Sequence, residues 1–259
     1  MSYNVYYGAD VPTDKGFSIT DRYLKVAQKI AAEAPDIAML QESTNAFAAV
    51  AAPVLSGYTF FGEPHSGTDE AAPVIWKTDK YTLVESGTAT ASGDWCATAK
   101  KYPRTINYVV LQDNATGRRL IVMSVHGQPD MDGVKNDDAR TKTMALVVQT
   151  VESLRSKYDG IPAIVGGDFN MAVSSDAYKT LISGGLKDIR ATVNPNSIGA
   201  YSDWDRAEGK FAMGDYLFMT GDVNALTYRV LTDDLDTGRT DGNTVHISDQ
   251  SPLMAQLIY

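Results

Sequence analysis

Apolar residues recur at helical spacing near the start of the chain, and a short apolar run follows them. Residues 18–33 place their apolar side chains on one helical stripe, with Ser18 or Thr20 as the N-cap. A proline comes after this predicted helix, and residues 36–42 are then largely apolar, which is typical of a buried strand. The first unit is therefore a helix followed by a strand that ends at Glu42.

The same order returns in the second half of the chain. Residues 138–157 carry apolar side chains at near-helical spacing, and Gly160 ends that predicted helix. The apolar residues 161–165 form the next predicted strand, which leads into Gly166-Gly167-Asp168. Each helix-to-strand unit thus delivers a carboxylate to the end of a strand.

Further strands lie around these two units. A turn at residues 113–117 has hairpin spacing and joins two of them. Mixed strands with helices at both ends of the order indicate an α/β fold, in which two packed sheets are flanked by helices. No proline- or serine-rich linker divides the chain, so we expect one domain over residues 1–259. The additional predicted strands cover residues 1–7, 74–77, 81–85, 105–112, 119–125, 216–219, 226–231 and 252–258.

The composition is that of an ordinary globular protein, with 44% apolar and 21% charged residues in a chain of 259. The net charge of −9 argues against nucleic acid binding over the whole surface. A bound divalent cation could still create a local phosphate site. Cys96 is the single cysteine, which excludes an internal disulfide. No apolar run approaches the ~20 residues that span a bilayer.

The first seven residues already form a predicted strand, with no charged and apolar leader before them. A strand without a lead-in indicates that a leader or short upstream segment was removed, and we therefore expect a secreted protein. A single cysteine does not indicate whether the protein works in a reducing or an oxidising compartment. We further expect a monomer.

Asp168 and Asn170 follow a pair of glycines at the end of a predicted strand. Glycines let the chain turn tightly and let a ligand approach. Residues two apart in extended backbone point the same way, so a carboxylate for a metal or water and an amide for a phosphoryl oxygen would face one site. The alternative interpretation is an Asx turn that closes a loop.

Two further carboxylates lie at predicted strand ends. Glu42 follows an apolar strand, where a hard cation such as Mg²⁺ would compensate its charge. Alternatively, it is a favourable charge at the N-terminus of a helix capped by Ser43 or Thr44. Asp215 begins a strand, where it could orient an imidazole or bind a metal, or else it is a surface turn residue after Gly214.

The chain has three histidines, and they differ in their surroundings. His126 ends an apolar strand just before Gly127, so we expect its ring to face an open strand end, although a lone histidine is more often structural. His65 is interpreted as a loop residue between Pro64 and Ser66. His246 is interpreted as a structural residue ahead of the last strand.

In this order, the segments resemble the endonuclease/exonuclease/phosphatase superfamily, which includes deoxyribonuclease I, abasic-site endonucleases, bacterial sphingomyelinases and inositol polyphosphate 5-phosphatases. The resemblance extends from Asn4 to Pro252. It implies a four-layer α/β/β/α sandwich of two mixed sheets that hydrolyses phosphate esters with Mg²⁺, with Mn²⁺ or Ca²⁺ as alternative ions. The motifs that carry it are Ser2-Tyr3-Asn4, Leu40-Gln41-Glu42, Glu70, Arg104, Ser124-Val125-His126, Gly167-Asp168-Phe169-Asn170, Gly214-Asp215-Tyr216 and Ser248-Asp249-Gln250-Ser251-Pro252.

The resemblance also implies roles for the carboxylates and amides of these motifs. Asn4, Glu42 and Asp249 correspond to the metal-site group. Asp168 and Asn170 correspond to the pair that orients the attacking water and binds the phosphate.

The remaining motif residues correspond to groups that act on the phosphate or orient others. His126, with Glu70 as its orienting carboxylate, resembles the acid or phosphate-contacting histidine. Arg104 resembles a phosphate-positioning arginine, suited to bidentate contact. Asp215 resembles the carboxylate that orients a second histidine.

The chain departs from the family pattern at Gln250, where the pattern Ser-Asp-His has histidine. Glutamine keeps a hydrogen-bond donor for phosphate but cannot take up a proton near neutral pH. Three explanations compete: an engineered inactive variant, a natural enzyme with altered chemistry, and a pseudoenzyme. Because the other site positions are filled, we favour an engineered or compensated site over decay.

A second departure concerns the substrate. Ser43 and Thr44 follow Glu42 where deoxyribonuclease I-like members carry a minor-groove arginine, and no groove-filling aromatic residue precedes Glu70. Both features weaken duplex DNA as the substrate. We predict a metal-dependent hydrolase of a phosphodiester, nuclease-like in type, whose partner is a nucleic acid or a smaller phosphate ester. The alternatives are a small-molecule or lipid-headgroup phosphatase and a catalytically silent phosphate-binding protein.

Overall fold

The computed structural model describes residues 1–7, 18–91, 103–130, 133–193, 214–231 and 247–259. Two mixed sheets of six strands each form its centre, and helices cover both outer faces. The predicted α/β/β/α sandwich is therefore confirmed. Among the helices in these ranges, none is long and apolar enough to cross a membrane.

Strands from both ends of the chain form the first sheet. They are β1 (Ser2–Asn4), β2 (Ile37–Gln41), β3 (Tyr58–Phe61), β4 (Val74–Lys77), β11 (Asn224–Val230) and β12 (Leu253–Ile258). Their order across the sheet is β11-β12-β1-β2-β4-β3. β1 and β2 run parallel, so their carboxyl ends lie at the same edge.

The second sheet is built from the middle of the chain. It contains β5 (Tyr81–Thr90), β6 (Thr105–Asp113), β7 (Arg119–His126), β8 (Ala163–Asp168), β9 (Leu186–Asp188) and β10 (Asp215–Thr220). Their order is β5-β6-β7-β8-β10-β9. β7 and β8 are the parallel pair of this sheet, and β10 runs antiparallel to β8.

Five helices belong to the described residues: α1 (Ile19–Glu33), α2 (Asn45–Val54), α3 (Asp137–Lys157), α4 (Asp176–Ser183) and α5 (Ile189–Val193). Side chains of α1 and α2 pack on the outer face of the first sheet, and those of α3 and α4 pack on the second. A third apolar core fills the space between the sheets, with Met39 from the first sheet and Val122 and Leu217 from the second.

The helix starts follow the predicted capping chemistry. The Ser18 hydroxyl accepts the Asp21 N–H at 3.1 Å, and the Asp21 carboxylate accepts the Ser18 N–H at 3.3 Å, which completes a capping box. Thr44 caps α2 by accepting the Phe47 N–H at 3.2 Å. Of the alternatives at α1, Ser18 is therefore the cap and Thr20 is not.

Several boundaries differ from the prediction. β1 is shorter than the predicted strand over residues 1–7, because Tyr6 adopts a φ of +53° and leaves the extended conformation. β8 begins at Ala163, after Pro162, because proline has no N–H for the ladder, and it continues to Asp168. β3, β9, α4 and α5 were not predicted, since elements of three to eight residues carry little periodic signal.

The strand registers bring polar residues from five strands to one edge of the sandwich. Asn4 pairs with Gln41, so Glu42 follows directly beside Asn4. His126 pairs with Asp168 across β7 and β8, and Asp168 pairs with Asp215 across β8 and β10. The two sheets are tied together at this edge by Gln41, whose Nε2 donates to the Ser124 hydroxyl at 3.2 Å.

Close backbone contact at this edge requires glycine. A Cβ on Gly167 would lie 1.9 Å from the Val125 carbonyl oxygen, and one on Gly127 would lie 2.2 Å from the Phe169 carbonyl oxygen. Any side chain at either position would therefore force the ends of β7 and β8 apart. The predicted role of the glycine pair is consistent with this close approach.

Candidate active site

Asn4 lies between two carboxylates at the edge of the sandwich. Its Nδ2 donates to Glu42 Oε1 at 3.0 Å and to Asp168 Oδ2 at 3.2 Å. Its Oδ1 accepts the Tyr6 N–H at 2.9 Å. Asn4 is fully buried and bridges the two carboxylates as a donor, and its predicted place in the metal-site group stays a prediction.

Glu42 leaves β2 through an unusual backbone conformation. Its φ is +57°, which turns the chain directly after the strand. Its Oε2 accepts the Tyr7 N–H at 3.1 Å. Thr44 caps α2 as the alternative interpretation required, but the Glu42 carboxylate faces Asn4 and His126.

His126 is held by Glu70. Its Nδ1 lies 2.8 Å from Glu70 Oε1, so the carboxylate fixes the Nδ1–H tautomer and leaves Nε2 toward the site. Nε2 lies 3.9 Å from Glu42 Oε1 and 3.8 Å from Asp168 Oδ2. The ring was expected to face an open strand end; it lies at the end of β7 but is buried against Glu42, Glu70 and Asp168.

Arg104 supplies the positive charge beside this pair. Its Nη1 donates to Glu70 Oε1 at 2.9 Å and lies 3.2 Å from His126 Nδ1. Burial alone would raise the pKa of Glu70, but the hydrogen bond and charge of His126, together with Arg104, hold it well below its usual range. Glu70 is therefore an anion, although it is buried.

Asp168 accepts hydrogen bonds on both carboxylate oxygens. Oδ1 accepts the Asn170 N–H at 2.9 Å, which is the Asx turn of the alternative interpretation. Oδ2 accepts from Asn4 and from Gln250 Nε2, the latter at 2.8 Å. Asp168 therefore forms the Asx turn with Oδ1 and also takes part in the candidate site, because Oδ2 faces His126.

Asn170 adopts a φ of +51° beyond the end of β8. Its Nδ2 donates to the Gly127 carbonyl at 3.2 Å, which uses one of its two amide hydrogens. Asn170 therefore reaches the site together with Asp168, with one amide hydrogen not used in this contact.

Asp215 and Asp249 complete a group of carboxylates. Asp215 is buried opposite Asp168, so the surface-turn alternative for Asp215 is not supported by its position. Burial raises the pKa of Asp215 well above its usual range, and the charges of Asp168, Asp249 and Glu42 add to the rise. For Asp249, burial and the charges of Glu42 and Asp168 raise the pKa to about 8, against a lowering by Arg22.

Gln250 occupies the position of the expected histidine. The Ser248 hydroxyl accepts its N–H at 3.2 Å and donates to the Asn4 carbonyl at 2.6 Å, which joins this segment to β1. The Gln250 Oε1 is buried and has no hydrogen-bond partner among the described residues. The amide thus donates to Asp168 and accepts nothing there.

One set of possible ligand atoms lies on Glu42, His126 and Asp168, all within 4.8 Å of one another. Glu42 was predicted as a ligand, whereas Asp168 was predicted to act on water. Asp249 is not part of this set within the described ranges, so the predicted group of Asn4, Glu42 and Asp249 remains a prediction. Carboxylate oxygens suit a hard divalent cation.

Two buried residues near the site were missed by the sequence interpretation. His65 was interpreted as a loop residue, yet its Nδ1 accepts the Thr105 N–H at 2.9 Å and its ring lies 6.1 Å from that of His126. His246, which was interpreted as a structural residue, lies outside the described residues, and so does Cys96.

Arg22 of α1 is the second missed residue. It is 2% exposed, and its Nη1 donates to the Val5 and Ile247 carbonyls at 2.8 and 2.9 Å. Its guanidinium lies over the Tyr6 and Tyr23 rings. Arg22 therefore ties together the chain segments that carry Asn4 and Asp249, which no local pattern could indicate.

A cavity of about 1010 Å³ opens beside Asp168, Asn170 and Gln250. It extends over the N-termini of α3 and α4. Its charged lining includes Lys135 and Arg140 and six aspartates: Asp130, Asp137, Asp138, Asp168, Asp176 and Asp215. The charged side chains described around this space are thus predominantly acidic.

Two packed mixed sheets, with polar residues gathered at one edge of the strands, place the chain in the class of deoxyribonuclease I-like α/β sandwiches. The chain belongs to the endonuclease/exonuclease/phosphatase family, whose model matches residues 1–249. The resemblance drawn from the motifs is therefore confirmed. Members of this family are generally phosphoric ester hydrolases.

Solved structures show the same fold at low sequence identity. A mannosyl-6-phosphatase from Bacteroides thetaiotaomicron is 22% identical, with a TM-score of 0.85 and coverage of 100% of this chain and 98% of that one. Another family protein from that organism is 23% identical, with a TM-score of 0.85 and coverage of 99% and 92%. D. rerio TDP2 complexed with single-strand DNA product is 18% identical, with a TM-score of 0.76 and coverage of 100% and 97%. No curated protein matches the sequence.

Proposed function

We propose that this protein is a divalent-metal-dependent phosphoesterase that releases phosphate from a small, hydroxyl-rich molecule. The observation that carries the proposal is the convergence of Glu42, Asp168 and His126 at one edge of the sandwich, next to a large polar cavity. Membership of a family of phosphoric ester hydrolases supports the reaction type.

The donor set fits a hard divalent cation. Glu42 and Asp168 offer carboxylate oxygens on either side of the Asn4 amide, and Mg²⁺ prefers such ligands. Mn²⁺ and Ca²⁺ share this preference for oxygen. When bound, the cation would supply positive charge that polarises a phosphoryl oxygen and lowers the pKa of water.

The chain itself supplies orientation and protons. Glu70 holds His126 so that a protonated Nε2 could donate to a phosphoryl oxygen. Asp168 is placed to accept a proton from water, and Asn170 has a second amide hydrogen for a phosphoryl oxygen. Gln250 is placed to donate an amide hydrogen but no titratable proton.

The charge of the cavity favours the phosphate ester of a small, hydroxyl-rich molecule over a nucleic acid strand as the substrate. Arg140 is paired with Asp130 at 2.8 Å and with Asp137 at 2.6 Å, so its charge is already compensated. Lys135 is likewise paired with Asp130, at 2.7 Å. The remaining charged lining is acidic and would repel a polyanion, whereas sugar hydroxyls can donate to carboxylates. The similar fold of the mannosyl-6-phosphatase supports this substrate class.

A nuclease-like phosphodiesterase is the second candidate, and it was the first choice from the sequence. The similar fold of TDP2 with its single-strand DNA product favours it. Among the residues that the structure describes, the cavity offers no row of unpaired basic side chains to follow a phosphate backbone. We therefore place it after the small-molecule phosphatase.

A substrate panel tests the proposal. A hexose 6-phosphate, bis(p-nitrophenyl) phosphate and a single-stranded oligonucleotide would be assayed with Mg²⁺ and with EDTA, beside Asp168→Asn as the control for contaminating phosphatases. We expect Mg²⁺-dependent release of phosphate, with the hexose phosphate preferred over the oligonucleotide by about 10-fold or more in kcat/KM, a discrimination of roughly 1.4 kcal/mol.

Two results would overturn this proposal. A preference for the oligonucleotide would establish the second candidate instead. Because Gln250 is predicted to slow turnover, Gln250→His would be assayed in parallel. No turnover by either form on any of the substrates, with phosphate still bound, would indicate a phosphate-binding protein.

A further inference from the structure

We propose that His65 is a positioning residue that holds Glu70 and, through it, the tautomer of His126. The role concerns the same site and rests on the proposed phosphoesterase function. His65 is 1% exposed, and the described lining of the acidic cavity does not include it. It therefore acts on the carboxylate and not on the substrate.

The hydrogen bond to Thr105 fixes which nitrogen of His65 carries the proton. Nδ1 accepts the Thr105 backbone N–H at 2.9 Å, and an imidazole nitrogen that accepts must be unprotonated. In the neutral ring the proton is then on Nε2. The main chain at the start of β6 thus presents His65 as an Nε2–H donor.

The donor of His65 is directed at the oxygen that holds His126. His65 Nε2 lies 3.6 Å from Glu70 Oε1, the atom that also receives Arg104 Nη1 at 2.9 Å and His126 Nδ1 at 2.8 Å. A separation of 3.6 Å is longer than a hydrogen bond, so the contact is electrostatic. We expect it to shorten to a hydrogen bond when the substrate complex forms.

These three side chains can also be considered as a metal site. Ligand atoms of His65, Glu70 and His126 lie within 4.8 Å of one another. Arg104 already places a permanent positive charge against Glu70 Oε1 and beside His126 Nδ1. A second cation would be repelled there, and the group is therefore a hydrogen-bonding network.

The consequence for turnover follows from the tautomer. With Glu70 Oε1 fixed, His126 keeps its proton on Nδ1 when neutral and presents Nε2 to the phosphate site. With Glu70 released, the His126 ring could rotate or exchange tautomers. Substrate binding would then change little, while the rate of the chemical step would fall.

A matched pair of variants separates positioning from folding. In His65→Gln the amide nitrogen reaches the place of Nε2 and can still donate to Glu70. In His65→Asn the shorter side chain reaches only the place of Nδ1 and can still accept the Thr105 N–H. We expect the kcat of His65→Asn to fall by about 10-fold or more with KM unchanged. His65→Gln should retain most of the wild-type kcat.

The tautomer of His126 gives a readout that needs no turnover. Nitrogen-15 NMR shifts of His126 should show Nδ1–H in the wild type and in His65→Gln, and a mixture of tautomers in His65→Asn. Equal kcat and the same His126 tautomer in both variants would overturn the role of His65. If neither the wild type nor Gln250→His has phosphoesterase activity, the proposed function fails while the NMR comparison still decides this inference.

Discussion

The two halves of the site balance their charge in different ways. The histidine network, defined as His65, Glu70, Arg104 and His126, contains one carboxylate that receives donors from the chain itself. The carboxylate cluster, defined as Glu42, Asp168, Asp215 and Asp249, brings four acidic groups together. In the network, Arg104 and His126 offset the charge of Glu70. Among the described residues, the carboxylates of the cluster raise the pKa values of Asp215 and Asp249, and Arg22 opposes this only in part for Asp249.

The pKa directions express this difference. Burial would raise the pKa of Glu70, yet His126 and Arg104 lower it. In the cluster, burial and mutual repulsion both raise the pKa values of Asp215 and Asp249. Asn4 and Gln250 donate amide hydrogen bonds to the cluster, but amides carry no charge. The comparison teaches that the network holds its carboxylate as an anion, whereas the cluster needs protons or a cation to offset its charge, and we propose a divalent cation for this role.

Removing the imidazole of His126 should have the largest effect on activity. We expect His126→Ala to lose ~10²-fold or more in turnover, the scale of a positioned acid–base group. Steady-state rates on the preferred phosphate ester would measure it. Thermal denaturation is the control, and His126→Asn, which can still contact Glu70, serves if the alanine variant fails to fold. Wild-type rates in a folded variant would remove His126 from the reaction.

Restoring an imidazole at Gln250 should change the rate in the opposite direction. A histidine there would give the carboxylate cluster a group able to carry a proton and a positive charge, with Asp215 available to orient it. We expect Gln250→His to raise turnover by ~10²-fold or more on a phosphodiester. Gln250→Asn, which keeps an amide, is the matched control. Rates equal to or below the wild type on every active substrate would show that glutamine belongs to an altered mechanism.

Stability should depend on pH through the carboxylate cluster. Asp249 has a folded pKa of about 8 and an ordinary value of 3.8, so its favourable protonated state is lost as the pH rises between these values. Without a cation, Tm should therefore fall from pH 5 to pH 8 by about 3 °C or more. Asp249→Asn should flatten this slope, and saturating Mg²⁺ should do the same. A slope unchanged in Asp249→Asn would assign the effect to other groups.

Much of the fold could be predicted, because the long elements carry clear patterns. α1, α3, β2 and the β6–β7 hairpin follow from periodicity, a proline and a glycine turn. The hairpin turn also fits its sequence, since Asp113 accepts the Ala115 and Thr116 N–H groups. The short elements escaped prediction because their packing is set by distant parts of the chain.

The site was predictable in its members and not in its hydrogen bonds. The motifs located Glu42, His126 and Asp168, which the fold brings to one edge. They could not indicate that Asn4 donates to Asp168, since 164 positions separate the two residues. They also could not reveal His65, whose role depends on a backbone N–H of β6 and on no sequence motif.

Magnesium-induced stabilisation tests the contrast between the two regions most directly. Tm would be measured with and without saturating Mg²⁺ for the wild type, Glu42→Ala in the carboxylate cluster and Glu70→Gln in the histidine network. The account predicts a rise of about 3 °C or more for the wild type, a similar rise for Glu70→Gln and none for Glu42→Ala. An unshifted wild type, or the same shift in Glu42→Ala, would contradict a cation site at the carboxylate cluster.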